Sequence, residues 1–142
     1  MKTFAELAFT PTVQAFQEQH GSRASYARMR SVSEHGEGLG QREAEHVANA
    51  DSFYLATVSE TGWPYVQHRG GPRGFLKVIS PTRLAFADFG GNRQFVSVGN
   101  AMGDDRVSLI VMDYPHRRRL KLFGRLRLEA IEEADSTLFS AV

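Results

Sequence analysis

The stretch FADFGGNRQFVSVGN, Phe86 to Asn100, puts two glycines, an amide and a guanidinium where an apolar run hands over to a segment of helical texture. One reading is a tight turn with a helix cap: Gly90 and Gly91 tolerate positive φ, Asn92 suits an N-cap, and Arg93 faces water. The other is an anion site, because backbone N–H groups at a helix N-terminus beside an arginine are what a phosphate needs. A second cluster, QHRGGPRG from Gln67 to Gly74, ends a strand-like run in His, Arg and two glycines. A strand that ends this way either breaks at an edge or lets a ligand come close to the backbone. A third cluster, RRRLKLFGRLR, carries six positive charges. Its strict alternation marks a half-buried strand with one solvated or ligand-facing side, and Phe123 alone is too little aromatic surface for nucleic-acid binding. The histidines (His20, His35, His46, His68 and His116) form no i, i+4 pair, so no metal site is expected. There is no G-x-S-x-G elbow, Walker lysine motif or G-x-G-x-x-G. Chemistry, if there is any, falls to a bound cofactor.

These clusters need elements to hold them. Thr12 to Met29 reads as a moderately amphipathic helix or pair of helices, interrupted at Gly21. Ser31 to Gly40 is a glycine-containing loop, and Arg42 to Ala50 a short helix with Ala44, Val47 and Ala48 on one side. From Asp51 the texture changes. SFYLATVSETGWPYVQHRGG gives two apolar runs around Glu60-Thr61-Gly62, a hairpin signature. GFLKVIS and RLAFADF flank Pro81 as a second hairpin. Arg93 to Ala101 is helical, DDRVSLIVMDY a buried strand, and IEEADSTLFSAV the start of a closing helix. In the last strand Leu120, Leu122, Leu126 and Leu128 share one face, and Arg119, Lys121, Phe123, Arg125 and Arg127 the other. About six antiparallel strands at this spacing predict a small barrel, mainly β with flanking helices. The expected division is a helical segment, 1–50, packed on a barrel, 51–142, within one structural domain.

Composition sets outer bounds. At 142 residues, with 42% hydrophobic and 23% charged, the chain has the make-up of one globular domain. A net charge of +1 provides no global field for nucleic acid or an anionic membrane. The absence of cysteine removes disulfides, thiolate catalysis and Cys-ligated zinc, and suits a reducing cytoplasm. MKTFAELAFTP has one Lys and a broken apolar stretch, so neither a signal peptide nor a membrane span is expected.

The order FYLATVSETGWPYVQ, HRGGP, LAFADFGGNRQF, DDRVSLIVMDY, RRRLKLFG resembles the pyridoxamine 5'-phosphate oxidase-like family of FMN-binding split barrels, from about Asp51 to Glu129. The resemblance implies a six-stranded antiparallel split β-barrel, noncovalent FMN in clefts at a homodimer interface, and oxidoreductase activity on a small molecule. It also implies a cofactor-binding set of Gln67, His68, Arg69, Gly70, Asp88, Asn92, Arg93, Gln94, Arg119 and Lys121. The pattern is altered in places. Gln67 stands where the family has Arg, and the family's Ser-Arg-Lys turn reads Asn92-Arg93-Gln94, keeping the Arg. The oxidase's own substrate-gripping residues near its C-terminus have no counterpart here. Alternation places Gln67 and Arg69 on one strand face and His68 on the other. A carrier or sensor of the same fold, holding flavin or haem without catalysis, is the alternative expectation, with His68 or His116 as haem ligand. An open barrel edge that a second copy would cover is a further ground for expecting a homodimer; a monomer whose N-terminal helices fold over that edge is the competing expectation.

Overall fold

The structure is a computed structural model and describes residues 2–32, 38–88 and 93–130. The chain divides into two units, Met1–Gly40 and Gln41–Val142.

The first unit is helical. Helix α1, Phe4–Ala8, opens with a capping box in which Thr3 accepts from the Glu6 backbone and Glu6 from the Thr3 backbone. This helix was not foreseen. In α2, Pro11–Gln19, Thr10 is the N-cap and Pro11 takes the first helical position, where its missing N–H costs nothing. Gly21 at φ +73 ends that helix, and α3, Arg23–Val32, follows, so the interruption read at Gly21 separates two helices. Phe9 meets Tyr26 edge-on at 5.5 Å, and the Gln14 side chain links the Phe9 carbonyl to Arg23. Neither α1 nor α2 has a buried residue.

In the second unit α4, Gln41–Ala48, docks through Val47, which is fully buried. The division therefore falls at Gly40 rather than Ala50: Val47 and Ala50 belong to the sheet unit's core. Strands β1, Ser52–Val58, and β2, Pro64–Gly70, form the expected hairpin, with Gly62 at φ +82 in its turn. Next come β3, Lys77–Ser80, and β4, Arg83–Ala85, then α5, Val96–Gly103, β5, Arg106–Asp113, and β6, Arg118–Arg125. All ladders are antiparallel. The sheets are one of four strands, β2-β1-β5-β6, and one of two, β3-β4.

The expectation of a mainly β, six-stranded barrel is thus met only in part. Among the described residues there are six strands, but they form two separate sheets without closure, and five helices make the fold mixed α/β. The second hairpin limits the ladder. Its pairing shifts register between Val78 and Ser80, and β4 stops at Ala85 so that Phe86 turns onto Phe53. The proposed closing helix lies outside the described residues.

Register decides which side chains share a face. Phe53 is opposite Arg69, Leu55 opposite Gln67 and Leu109, and Leu109 opposite Leu122. That face holds the core of Val47, Phe53, Leu55, Phe75, Leu76 and Val111, with Val78, Leu84 and Phe86 packed against it. The opposite, outer face carries Tyr54, His68, Ile110, Arg119 and Lys121. Leu120, Leu122 and Leu126 point to the core as expected, whereas Leu128, beyond the strand end, is 53% exposed.

Candidate functional site

Strand β2 is an edge strand, so its core-facing side chains have a neighbouring strand on one side only. Tyr65, Gln67 and Arg69 project to that side and are half-buried, while Val66 and His68 are exposed on the other. Arg69 is the centre of a polar chain. Its Nη1 donates to Asp88 Oδ1 at 2.6 Å, and its Nη2 donates to Gln67 Oε1 at 3.3 Å. Its guanidinium carbon lies 5.3 Å from the centre of the Phe86 ring. Only 14% of the side chain is exposed, and its Nε–H is buried without an acceptor among the described residues. From α5 the Ser97 hydroxyl donates to the same Gln67 oxygen at 2.6 Å. Asp88, 46% exposed, forms the solvent end of the chain.

The backbone beside this cluster is tight. Gly71 N donates to Asp51 O at 2.9 Å, and a Cβ on Gly71 would stand 2.7 Å from Phe75 Cγ. A Cβ on Gly70 would meet His68 Cε1 at 3.2 Å. Glycine at 71 is therefore a packing requirement as well as an opening for close approach.

Gln67, Arg69 and Asp88 are thus brought together, with Gly70 at the adjoining strand end. His68 is not with them: its ring lies edge-on to Tyr54 at 5.3 Å on the outer face. Arg119 and Lys121, opposite Met112 and Ile110, also lie on the outer face and on the far edge strand. Asn92 lies outside the described residues. Arg93 and Gln94 are exposed and precede α5, which begins three residues after Arg93. The expectation that Arg93 sits in the first helical turn is corrected. Arg93 at φ 59 and Phe95 at φ 56 are left-handed, which breaks helical progression until Val96. The N-cap position falls on Phe95, with no side-chain cap.

Two residues of the cluster were missed, Ser97 and Phe86. A signal for Ser97 existed: Ser97 and Asn100 are polar, one turn apart, and so share a helix face. Both are buried, and Asn100 Nδ2 donates to Thr57 Oγ1 at 2.9 Å. Phe86 carried no separate signal, since an aromatic at a strand end reads as core.

The haem candidates have other surroundings. His68 is exposed beside Tyr54, and the exposed His116 ring lies 2.9 Å from Asp113 Oδ2 through its Nδ1. Among the described residues no three His, Asp or Glu side chains gather as a metal site. A depression of about 270 Å³ in the N-terminal unit, lined by Lys2, Ala5, Glu6, Phe9, Gln14 and Arg23, contains none of the residues singled out. No described helix is long and apolar enough to cross a membrane. The chain matches no protein-family model, and no curated protein matches it.

Proposed function

We propose that this chain is an FMN-binding flavoprotein of the pyridoxamine 5'-phosphate oxidase-like kind, a split-barrel oxidoreductase acting on a small molecule. One observation carries the reading: Arg69, mostly buried on an edge strand, keeps a buried Nε–H donor with no acceptor among the described residues. A buried donor without a partner costs about 1–3 kcal/mol. A phosphate or ring oxygen of FMN would remove that cost, and the residues around Arg69 fit such a group. Asp88 and Phe86 fix the guanidinium, and Gln67 stands beside it. Exposed Arg93 supplies a second cation for a phosphate monoester. FMN, when bound, supplies the electron or hydride transfer; the side chains here bind and orient it. Two sheets facing one core are compatible with a split barrel.

The reading includes a homodimer. Gln67 and Arg69 face the core side of the sheet, whereas His68, Arg119 and Lys121 face the other. One FMN contacted by both sets takes the first from one subunit and the second from its partner. A second copy would also cover outer-face apolar surface such as Val66, 61% exposed.

Titration of the purified chain with FMN, followed by flavin fluorescence and by the absorption spectrum, tests the proposal. Saturable binding with a flavin spectrum is expected, with light scattering giving the mass of two chains. No binding of FMN at high micromolar concentration refutes the cofactor; FMN bound to a single chain refutes the dimer.

A further inference from the structure

The Gln67 carboxamide has only one orientation compatible with its neighbours. A guanidinium carries donors and no acceptor, so the Gln67 atom 3.3 Å from Arg69 Nη2 has to be the oxygen. The Ser97 hydroxyl donates to the same oxygen at 2.6 Å. Both lone pairs of Oε1 are then engaged, and the NH2 group, on the other side of the amide carbon, donates to no group among the described residues. Ser97 is 1% exposed, so its hydroxyl has no water to turn to. A helical serine ordinarily returns its proton to a carbonyl one turn back. Here the proton crosses from α5 to β2.

We propose that Ser97 is a positioning residue: with Arg69 it locks the Gln67 carboxamide oxygen inward, so that the NH2 edge is presented as a donor to an acceptor atom of the bound ligand. This rests on the FMN reading above. Gln67 and Arg69 then act together: each offers an N–H that lacks an acceptor among the described residues, and neither offers the ligand a free acceptor. The Gln67–Arg69 pair therefore favours oxygen-rich, anionic or carbonyl-bearing groups over ligand donors. The competing role for Ser97 is structural, a buried hydroxyl merely finding an acceptor.

Gln67→Glu separates the two. A carboxylate accepts from Ser97 and Arg69 as the amide does, so folding holds, but it turns an acceptor and a negative charge toward the ligand. FMN affinity is expected to fall at least about 100-fold with little change in thermal midpoint. Riboflavin, which lacks the phosphate, is titrated in parallel. A loss confined to FMN places the acceptor on the phosphate, and an equal loss for both places it on the ring or ribityl chain; either outcome supports the lock. Ser97→Ala is expected to weaken FMN binding about 5- to 20-fold, with Ser97→Thr, which keeps the hydroxyl, restoring most of it. In a Gln67→Ala background Ser97→Ala should cost nothing further, because the residue it positions is gone. Gln67→Glu binding FMN within threefold of wild type overturns the inference and leaves the FMN reading standing. So does an equal cost of Ser97→Ala in both backgrounds. Wild-type protein that binds no FMN overturns the FMN reading and this inference together.

Discussion

Replacing Arg69 by lysine keeps the charge and removes the planar fork, which isolates what the guanidinium geometry contributes. The native side chain donates to Asp88 at 2.6 Å and to Gln67 at 3.3 Å, and its guanidinium carbon lies 5.3 Å from the Phe86 ring centre. An ammonium is a single point of charge and cannot keep all three contacts. Asp88 is 46% exposed, so water replaces a lost contact there at a cost of about 0.5–1 kcal/mol. Losing the Gln67 hydrogen bond costs about 1 kcal/mol and losing the ring contact about 0.5–1. The three are coupled, and lysine retains one of them, so the net loss is about 1–2 kcal/mol, or roughly 3–7 °C in Tm for a chain of this length. The effect on ligand is separate. Lysine has no Nε–H, and losing one charge-assisted bond to FMN costs about 1.5–3 kcal/mol, roughly 10- to 150-fold in Kd. Differential scanning fluorimetry reads the first quantity and flavin fluorescence titration the second. A variant with the expected Tm loss but an FMN Kd within twofold of wild type refutes the assignment of the orphan Nε–H to the ligand. An unchanged Tm refutes the account of the cluster itself.

Three further expectations concern the frame around the site. Asn100→Ala leaves the Thr57 hydroxyl buried and unpaired and should cost about 1–3 kcal/mol in urea unfolding. The Thr57→Val, Asn100→Leu pair should recover part of that, and a single variant as stable as wild type contradicts the pairing. Gly71→Ala pushes a Cβ to 2.7 Å from the Phe75 ring, which is only 2% exposed, so a loss of about 1–3 kcal/mol is expected. A neutral Gly71→Ala shows that the ring has room to move. Arg106, chiefly through its side-chain hydrogen bond, holds the Asp104 carboxyl down from 3.8 to about 2. A folded-state pKa below the unfolded one stabilises the fold above about 3.8, and that contribution is lost as pH falls toward about 2. Asp104→Asn should therefore show a shallower fall in Tm over that window, and an identical acid limb would count against the pairing.

Several elements could be read from the sequence because one strong local pattern sufficed. The β1–β2 hairpin follows from two apolar runs around Gly62, and the face of β6 from its strict alternation. Alternation also placed Gln67 and Arg69 opposite His68, as found. Other features depend on contacts that a local pattern does not encode. Helix α1 has only five residues and buries none, too short a run for periodicity to declare it, and the Thr3–Glu6 box is what marks it. The start of α5 depends on two left-handed residues, Arg93 and Phe95, neither of a type that prefers that conformation. The separation of Arg119 and Lys121 from Arg69 emerges only when register is counted across four strands. Each strand's alternation gives its own two faces; pairing decides which of those faces coincide.

Helix α5 shows why the candidate site is held by hydrogen bonds as much as by packing. Its buried residues are Ser97 and Asn100, both polar, whereas α4 docks through Val47. Apolar docking is tolerant, since a valine displaced along a greasy surface loses little until it reaches water. Polar docking is not. Shifting α5 along the sheet would strand the Ser97 hydroxyl and the Asn100 amide away from Gln67 and Thr57, at about 1–3 kcal/mol for each buried group. The two bonds fall on adjacent strands, Thr57 on β1 and Gln67 on β2, so they fix the helix both along the strands and across them. On the FMN reading, loosening Asn100 should therefore weaken ligand binding at Gln67 by way of Ser97, although Asn100 itself hydrogen-bonds Thr57 and not Gln67.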